Sequence, residues 1–276
     1  MSAALYVVAT PLGNLADLSP RAITTLREVR LVAAEDTRRT RTLLSHIDAH
    51  PTLLSVHAHA EPARFEQVMT VLRRGDAVAL VSDAGTPVVS DPGATLVARV
   101  VEEGFPVVCV PGPSAVTAAL SVSGFTADRY TFLGFLPRKG RDRAALLQQV
   151  ADGPWTTVLF EAANRLERLL DELRAVCGAE RKAVVARELT KLHEAVQSGT
   201  LGELAVYYAA RPARGEVTLV VAGAGKVRAA AHDPAAAADL ARALLAEGLS
   251  RKDAATRLAR EADLPRHEAY RLVNEQ

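Results

Sequence analysis

The sequence contains few cysteines and no long apolar run, and both absences limit what it can encode. Its 276 residues include only two cysteines, Cys109 and Cys177, without the spacing of a disulfide framework or a metal site. Unpaired cysteines fit a reducing cytoplasm, where we expect the protein. No apolar stretch approaches the roughly 18 residues of a membrane span, and the N-terminus lacks the pattern of a secretory signal. We therefore expect no membrane association.

A net charge is also nearly absent. The formal charge is +1 at pH 7, so composition alone does not indicate a nucleic-acid partner. The basic residues are clustered, however, and such clusters can follow a phosphate backbone or simply form a solvated face. The three clusters are Arg38, Arg39 and Arg41; Arg138, Lys139, Arg141 and Arg143; and Arg251, Lys252, Arg257, Arg260, Arg266 and Arg271.

The order of apolar runs and amphipathic segments predicts an α/β protein in three parts. Residues 1–120 alternate short apolar runs with helical patterns, which indicates a mainly parallel sheet covered by helices on both faces. The pattern restarts in 121–228, where four predicted strands and one helix, 164–177, indicate a second α/β lobe with a mixed sheet. Residues 235–276 are predicted as a small helical appendage. Predicted strands are 4–9, 31–34, 52–56, 77–81, 107–110, 130–133, 156–160, 183–187 and 216–221.

Four segments rich in turn-forming or polar residues follow predicted strands, where ligands bind in open α/β sheets. Glycine lets the backbone approach a ligand closely, and the free amides of the helix starting near Ser114 can hold a carboxylate. Ordinary turns without a ligand are the alternative. Nucleotide signatures are missing, because there is no G-x-G-x-x-G and no P-loop. The segments are TPLGN (10–14), SDAGTPVVSDPG (82–93), PGPSA (111–115) and RELTKLHE (187–194).

These segments resemble the tetrapyrrole-methylase superfamily, and within it the bacterial branch that methylates ribosomal RNA. The resemblance covers roughly Leu5 to Gly223, and seven stretches occur in the family's order. SDAGTP and RELTKLHE distinguish this branch from the porphyrin and corrin methylases. The stretches are ATPLGNLADLSPRA, AAEDTRRT, SDAGTPVVSDPG, VPGPSA, GFLPRKG, VARELTKLHE and RGEVTLVVAG.

The resemblance implies a two-lobed class III methyltransferase that works as a homodimer, with S-adenosylmethionine bound in the cleft that the second lobe completes. The implied substrate is the 2′-hydroxyl of a cytidine of 16S ribosomal RNA, near the decoding centre of the small subunit. No metal is implied. The cofactor contacts carried onto this chain are Leu12, Gly85, Thr86, Val89, Ser114 and Ala115, together with Phe160, Leu189 and Val217 from the second lobe.

Methyl transfer to a hydroxyl requires alignment and is helped by a proton acceptor or by stabilisation of the developing oxyanion. Four residues in the segments most like the family are candidates for that role, although each can instead be structural. The residues around Asp36, for example, can simply cap the helix that follows. The catalytic candidates are Glu188, Lys191, Asp36 and His193, and the candidates for RNA phosphate contacts are Arg38, Arg39, Arg138 and Lys139.

The chain departs from the family pattern in two places. The usual Tyr-Glu-Ser/Ala-Pro-His-Arg run is FEAANR here, with Asn164 in place of histidine, and His-Glu-His-Asn-Glu is HAHAE, with Ala58 in place of glutamate. Neither replaced side chain is then indispensable to the chemistry, unless activity has been lost. His57, His59 and Glu61 would share one face if this segment were an extended strand. The following proline and the missing further ligands argue against a metal there.

Two other functions fit the sequence. One is methylation of a small tetrapyrrole, and the other is RNA binding or ribosome assembly without catalysis. The appendage also has two interpretations, because Ala254, Ala255, Leu258 and Ala259 form an apolar stripe flanked by arginines. It is compatible with a helical RNA-binding module or with packing against the dimer.

Overall fold

The computed structural model describes residues 1–56, 62–224, 234–262 and 266–275. The chain forms two compact units, Met1–Gly223 and Ala224–Gln276. Two five-stranded sheets belong to the first unit, and the described part of the second is helical. No described helix has the length and apolar character needed to cross a membrane.

The first sheet is wholly parallel, with strand order β3-β2-β4-β1-β5. Its inner strands β2 and β4 have the sequences LVAA and VALV, and every residue in them is buried. Continuous apolar runs of this kind are typical of parallel strands covered on both faces. The strands are β1 (Leu5–Val8), β2 (Leu31–Ala34), β3 (Thr52–Ser55), β4 (Val78–Val81) and β5 (Val107–Val110).

Among the described residues, four helices cover this sheet, and a fifth, α5, follows β5 and packs against the second sheet. Helices α1 and α2 share one core with one face of the sheet, and α3 and α4 share a second core with the other face. Helix α1 begins where Ser19 Oγ accepts a hydrogen bond from Ala22 N at 3.1 Å, with Pro20 in the first turn. The helices are α1 (Pro20–Glu28), α2 (Thr37–His46), α3 (Pro62–Arg73), α4 (Ala94–Glu102) and α5 (Ala115–Ser123).

The second sheet is mixed, in the order β6-β7-β10-β8-β9, because β6 and β7 are parallel and the other pairs antiparallel. Helix α7 buries four leucines against one face, and α5 covers part of the other face. The strands are β6 (Tyr130–Phe135), β7 (Thr156–Ala162), β8 (Lys182–Arg187), β9 (Ala195–Thr200) and β10 (Glu216–Val221), and the helices are α6 (Arg141–Asp152), α7 (Leu166–Cys177) and α8 (Leu201–Ala210).

The predicted fold class is confirmed, with a parallel sheet first, a mixed sheet second and helices at the C-terminus. The sequence did not reveal β9, α6 or α8. Strand β9 reads AVQSGT and lies at the sheet edge, where polar side chains are tolerated and the apolar alternation is weak. The division at 120/121 and 228/235 stays a prediction.

The described part of the second unit is a small bundle of three helices with its own core. Helix α10 begins at Ser250, whose Oγ accepts from Asp253 N at 3.2 Å. Ala254, Ala255 and Leu258 are almost fully buried among residues of α9 and α11. The apolar stripe of α10 therefore packs within the bundle itself. The helices are α9 (Pro234–Ala246), α10 (Arg251–Glu261) and α11 (Arg266–Asn274).

Candidate functional site

Three of the four turn-rich segments meet at one edge of the first sheet. They follow β1, β4 and β5, which are neighbours in the order β4-β1-β5, so their carboxyl ends lie side by side. Thr10 and Gly85 exchange two backbone hydrogen bonds of 2.8 and 3.0 Å. Thr86 Oγ1 donates to the Pro113 carbonyl oxygen at 3.1 Å. The three segments thus form one bonded scaffold.

Backbone strain is concentrated in two of the predicted segments. Across the described ranges, five non-glycine residues have positive φ, and four of them are Val88, Ser90, Glu188 and Thr190. Such conformations cost about 1–3 kcal/mol each and occur preferentially where a binding site requires them. The positive-φ residues therefore lie in segments that the sequence motifs also indicate as functional, and the backbone conformation is independent evidence for those segments.

A bulge in β6 builds the aromatic part of the site. Phe132 pairs with Val158 and Phe135 pairs with Phe160, with one extra residue between them on β6. Because of this insertion, two residues three positions apart lie on the same face of the strand. Both rings pack against Phe160, with centroid distances of 4.9 and 5.6 Å.

The loops of both sheets enclose a cavity of about 730 Å³. This volume lies within the range of small-molecule sites, about 300–1,000 Å³. The ninth predicted cofactor residue, Leu189, does not line it but is buried beneath α5 with Val116 and Ala119. The other eight, which do line the cavity, are Leu12, Gly85, Thr86, Val89, Ser114, Ala115, Phe160 and Val217.

The N-terminus of α5 opens into this cavity. Ser114 is its N-cap residue, but its side chain makes no capping hydrogen bond. Ser114, Ala115 and Val116 all line the cavity. The first turn of a helix has unpaired N–H groups and a partial positive charge, so this end can receive an anionic group such as a carboxylate.

One wall of the cavity is acidic and consists of Glu35, Asp83 and Asp91. We call these three residues the acidic wall. Asp83 N donates to Glu35 Oε2 at 3.4 Å, and Asp83 Oδ2 pairs with Arg39 Nη1 at 3.3 Å. Burial raises the pKa of Asp91 to about 6, against an opposing hydrogen bond from Ser82, and the charges of Glu35 and Asp83 add to the rise. Burial also raises the pKa of Glu35.

None of the acidic-wall residues is among the functional residues predicted from the sequence. Two of its members are the aspartates of SDAGTPVVSDPG, and the third directly follows β2. Carboxylates at the carboxyl ends of parallel strands were therefore a usable signal.

The catalytic candidates Glu188 and Lys191 lie just outside the cavity lining. Lys191 Nζ donates to Glu188 Oε1 at 3.0 Å and to Glu216 Oε2 at 3.1 Å, and Glu216 does line the cavity. The pKa of Glu188 lies below its usual value. The hydrogen bond from the backbone N–H of Glu216 lowers it most, and the hydrogen bond from Lys191 lowers it further. Burial opposes protonation of Lys191, but its two carboxylate partners raise its pKa overall. A carboxylate so well satisfied is a weak proton acceptor.

The other two catalytic candidates also lie outside the lining. Asp36 Oδ1 caps α2 by accepting from Arg38 N at 2.8 Å, and the hydrogen bonds from Arg38 lower the pKa of Asp36 to about 2. Asp36 thus has the helix-capping role that the sequence offered as the alternative to catalysis. His193 is exposed in the turn before β9. Catalytic roles for all four candidates stay predictions.

The three arginines and one lysine predicted to contact RNA differ in how close they lie to the cavity. Arg39 lines the cavity beside Asp83, whereas Arg38 is 85% exposed and paired with Asp36. Arg138 and Lys139 are exposed between β6 and α6, and Arg138 also borders a second cavity described below.

No metal cluster is evident in the part of the chain that the structure describes, where no three His, Cys, Asp or Glu side chains are placed to hold an ion. The trio His57, His59 and Glu61 and the departure at Ala58 lie outside that part.

Comparisons with known proteins first define the class. A sequence profile of the tetrapyrrole (corrin/porphyrin) methylases matches residues 4–205. The fold is similar to the methyltransferase CobJ, with a TM-score of 0.61 and 18% identity over 80% of this chain and 95% of that one. It is also similar to uroporphyrin-III C-methyl transferase from Thermus thermophilus, solved with S-adenyl homocysteine, with a TM-score of 0.59, 18% identity and coverage of 80% and 98%. The class is thus that of the tetrapyrrole-methylase fold.

Much closer relatives identify the branch. Ribosomal RNA small subunit methyltransferase I of Synechocystis sp. is 44% identical over 97% of this chain and 96% of its own length. The protein of the same name from Escherichia coli O157:H7 is 40% identical, with coverage of 99% and 95%. The chain belongs to the ribosomal RNA small subunit methyltransferase I family.

Proposed function

We propose that this protein transfers a methyl group from S-adenosylmethionine to the 2′-hydroxyl of a cytidine in 16S ribosomal RNA, near the decoding centre of the small subunit. The observation that carries the proposal is the cavity between the two sheets, lined by eight of the nine residues selected from the sequence. The names of relatives that match nearly the whole chain support RNA as the substrate.

The cavity suits each part of this cofactor. The free amides at the start of α5 can receive the methionyl carboxylate. Phe135 and Phe160 offer aromatic surface for an adenine ring. The acidic wall supplies negative charge for a cationic sulfur. Bound there, S-adenosylmethionine would supply an electrophilic methyl group.

The chain's own residues would then align the ribose and take up its proton. As the oxygen–carbon bond forms, the hydroxyl proton has to leave, and a carboxylate with a pKa near neutrality is the most effective acceptor. Asp91 meets that condition and lines the cavity, whereas Glu188 has a lowered pKa and two hydrogen-bonded partners. We therefore assign proton acceptance to Asp91 ahead of Glu188.

We also propose that the protein is a cytoplasmic homodimer. Large apolar side chains remain exposed on the first unit, among them Leu192 at 93%, Val206 at 68% and Val101 at 58%. Exposed apolar surface is a common feature of subunit interfaces. Light scattering on the purified protein should give twice the mass of one chain.

The direct test is transfer of a radiolabelled methyl group to purified small subunits that lack this modification. Label should appear in 16S RNA at a linkage resistant to alkali, because a methylated 2′-oxygen cannot attack the neighbouring phosphate. Ser114→Asp should lower cofactor affinity at least tenfold, since it adds an anion where the methionyl carboxylate binds, and aspartate is itself a favoured N-cap residue, so α5 should remain intact. Ser121→Asp, at an exposed position of the same helix, is the control. Transfer to a porphyrinoid, or to nothing, would overturn the proposal.

Lys191→Met tests whether the lysine positions the site or reacts. Without the ammonium, Glu188 and Glu216 lose the cation that holds both side chains in place at the cavity edge. We expect this loss of preorganisation to outweigh the added negative charge, so that cofactor affinity falls about threefold to tenfold, roughly 1 kcal/mol. Lys191→Arg should recover most of it. Calorimetry and steady-state kinetics measure both effects, with Lys182→Met, at an exposed position of β8 outside the cavity lining, as the control. Unchanged affinity with kcat reduced by about 10²–10⁴ would instead show that Lys191 takes part in proton transfer.

A further inference from the structure

A second cavity, of about 480 Å³, adjoins the first. Ala162 and Asn164 line both cavities, so the two are adjacent at the end of β7. The remaining lining residues are all arginines, and no carboxylate among the residues that the structure describes lines this space. We call it the arginine pocket, and its arginines are Arg138, Arg143, Arg165 and Arg168.

Two of these arginines are fixed by the surrounding fold. Arg143 is buried, donates from Nη1 to the Pro137 carbonyl oxygen at 2.8 Å and is ion-paired with Glu172. Arg165 is ion-paired with the fully buried Glu161 through Nε at 2.8 Å. Rigid guanidinium groups of this kind lose little entropy when they bind a further anion.

The other two arginines are accessible. Arg168 is 64% exposed and shares Glu172 with Arg143. Arg138 is exposed and has no hydrogen-bond or ion-pair partner among the residues that the structure describes. The pocket therefore holds four positive charges against the two carboxylates paired with them, Glu161 and Glu172. Its net charge is positive, in contrast to the acidic wall of the neighbouring cavity.

We propose that the arginine pocket binds a backbone phosphate of the RNA beside the nucleotide whose ribose enters the first cavity. The inference rests on the proposed function and specifies how the same site holds its substrate. A ribose 2′-hydroxyl lies next to the phosphate on its own 3′-oxygen, so a reacting ribose brings a phosphate to the cavity edge. A guanidinium group can donate two parallel hydrogen bonds to the oxygens of one phosphate, and its charge favours an anion over a neutral ligand. Asn164 lines both cavities and therefore lies between the proposed positions of the ribose and the phosphate.

The test measures binding of a labelled, short single-stranded RNA containing cytidine, at several salt concentrations. Arg138→Gln and Arg168→Gln remove accessible charges and leave the buried pairs intact. Each should reduce the slope of log affinity against log salt by about 0.7, the value for one phosphate contact on a single strand. Together they should weaken binding about tenfold or more at low salt. Arg174→Gln is the matched control, because Arg174 is also on α7 and exposed but lies outside the pocket.

Methyl transfer to small subunits gives a second readout for the same variants. We expect the KM for subunits to rise about tenfold in the double variant, while the affinity for S-adenosylmethionine stays unchanged. Retention of the wild-type salt slope, or an equal loss in Arg174→Gln, would overturn the phosphate site. If the wild type methylates RNA and the pocket variants do so equally well, only this inference fails. If the pocket variants lose RNA binding as expected and the wild type transfers no methyl group, the proposed function fails and the phosphate site stands.

Discussion

Replacing Gly85 with valine should reduce S-adenosylmethionine affinity by at least a hundredfold, about 2.7 kcal/mol or more. Gly85 has φ +80°, and a Cβ there would lie 3.2 Å from Leu12 Cδ2 and 3.7 Å from the Pro113 carbonyl oxygen. The larger valine would push apart the segments that contain Leu12 and Pro113. Leu12 and Ser114 both line the cavity, so this displacement would move the N-terminus of α5 and the apolar surface around Leu12 out of position for the cofactor.

Backbone strain alone is the other explanation for such a loss, and Gly104→Val controls for it. Gly104 has φ +79°, and a Cβ at that position would have no atom within 4 Å. The two variants therefore share the strain of a positive φ, on the order of 1–2 kcal/mol, and differ in what the new side chain meets. Calorimetric titration and thermal unfolding of both variants give the comparison. Equal losses of affinity in both, or wild-type affinity in Gly85→Val, would mean that the cofactor does not bind between these segments.

The sequence predicted the fold class and the turns that meet at one edge of the first sheet, for physical reasons that act locally. Short β-branched runs such as VALV favour buried strands, and Ser19-Pro20 marks a helix start through capping and a fixed φ. Glycine and proline between strand and helix show where the chain turns. Adjacent turns at one sheet edge follow from parallel topology, so Gly85 and Ser114 were correctly predicted to lie close together.

What the sequence could not show depends on contacts between distant segments. The pKa of Asp91 rises because burial removes water from a loop whose depth only the assembled sheets determine. Leu189 carries the family's motif but turns beneath α5, since its neighbours on either side have positive φ. Lys191 packs against Gly13, and this contact between the two lobes cannot be predicted from the sequence around either residue. The arginine pocket likewise gathers residues from the β6–α6 loop, α6, β7 and α7.

S-adenosylmethionine should bind more weakly below pH 6 than at pH 7.5, by up to about tenfold. Asp91 has a pKa raised to about 6, so it is neutral below that pH and ionised above it. Protonation removes one negative charge from a cavity that receives a permanently cationic sulfonium, and attraction between the two falls accordingly. Glu35, whose pKa is also raised, acts in the same direction, and no histidine is among the lining residues. Calorimetric titrations across this pH range measure the effect.

S-adenosylhomocysteine separates this electrostatic cause from others, because it has the same adenosine and amino-acid groups but an uncharged sulfur. Its affinity should depend much less on pH over the same interval, since titration of the shared groups affects both ligands alike. Asp91→Asn should flatten the profile for the cationic ligand and leave that for the uncharged ligand nearly as it was. Equal pH dependence for the two ligands, or a profile unchanged by Asp91→Asn, would mean that Asp91 does not face the sulfur and would also remove it as the acceptor of the ribose proton.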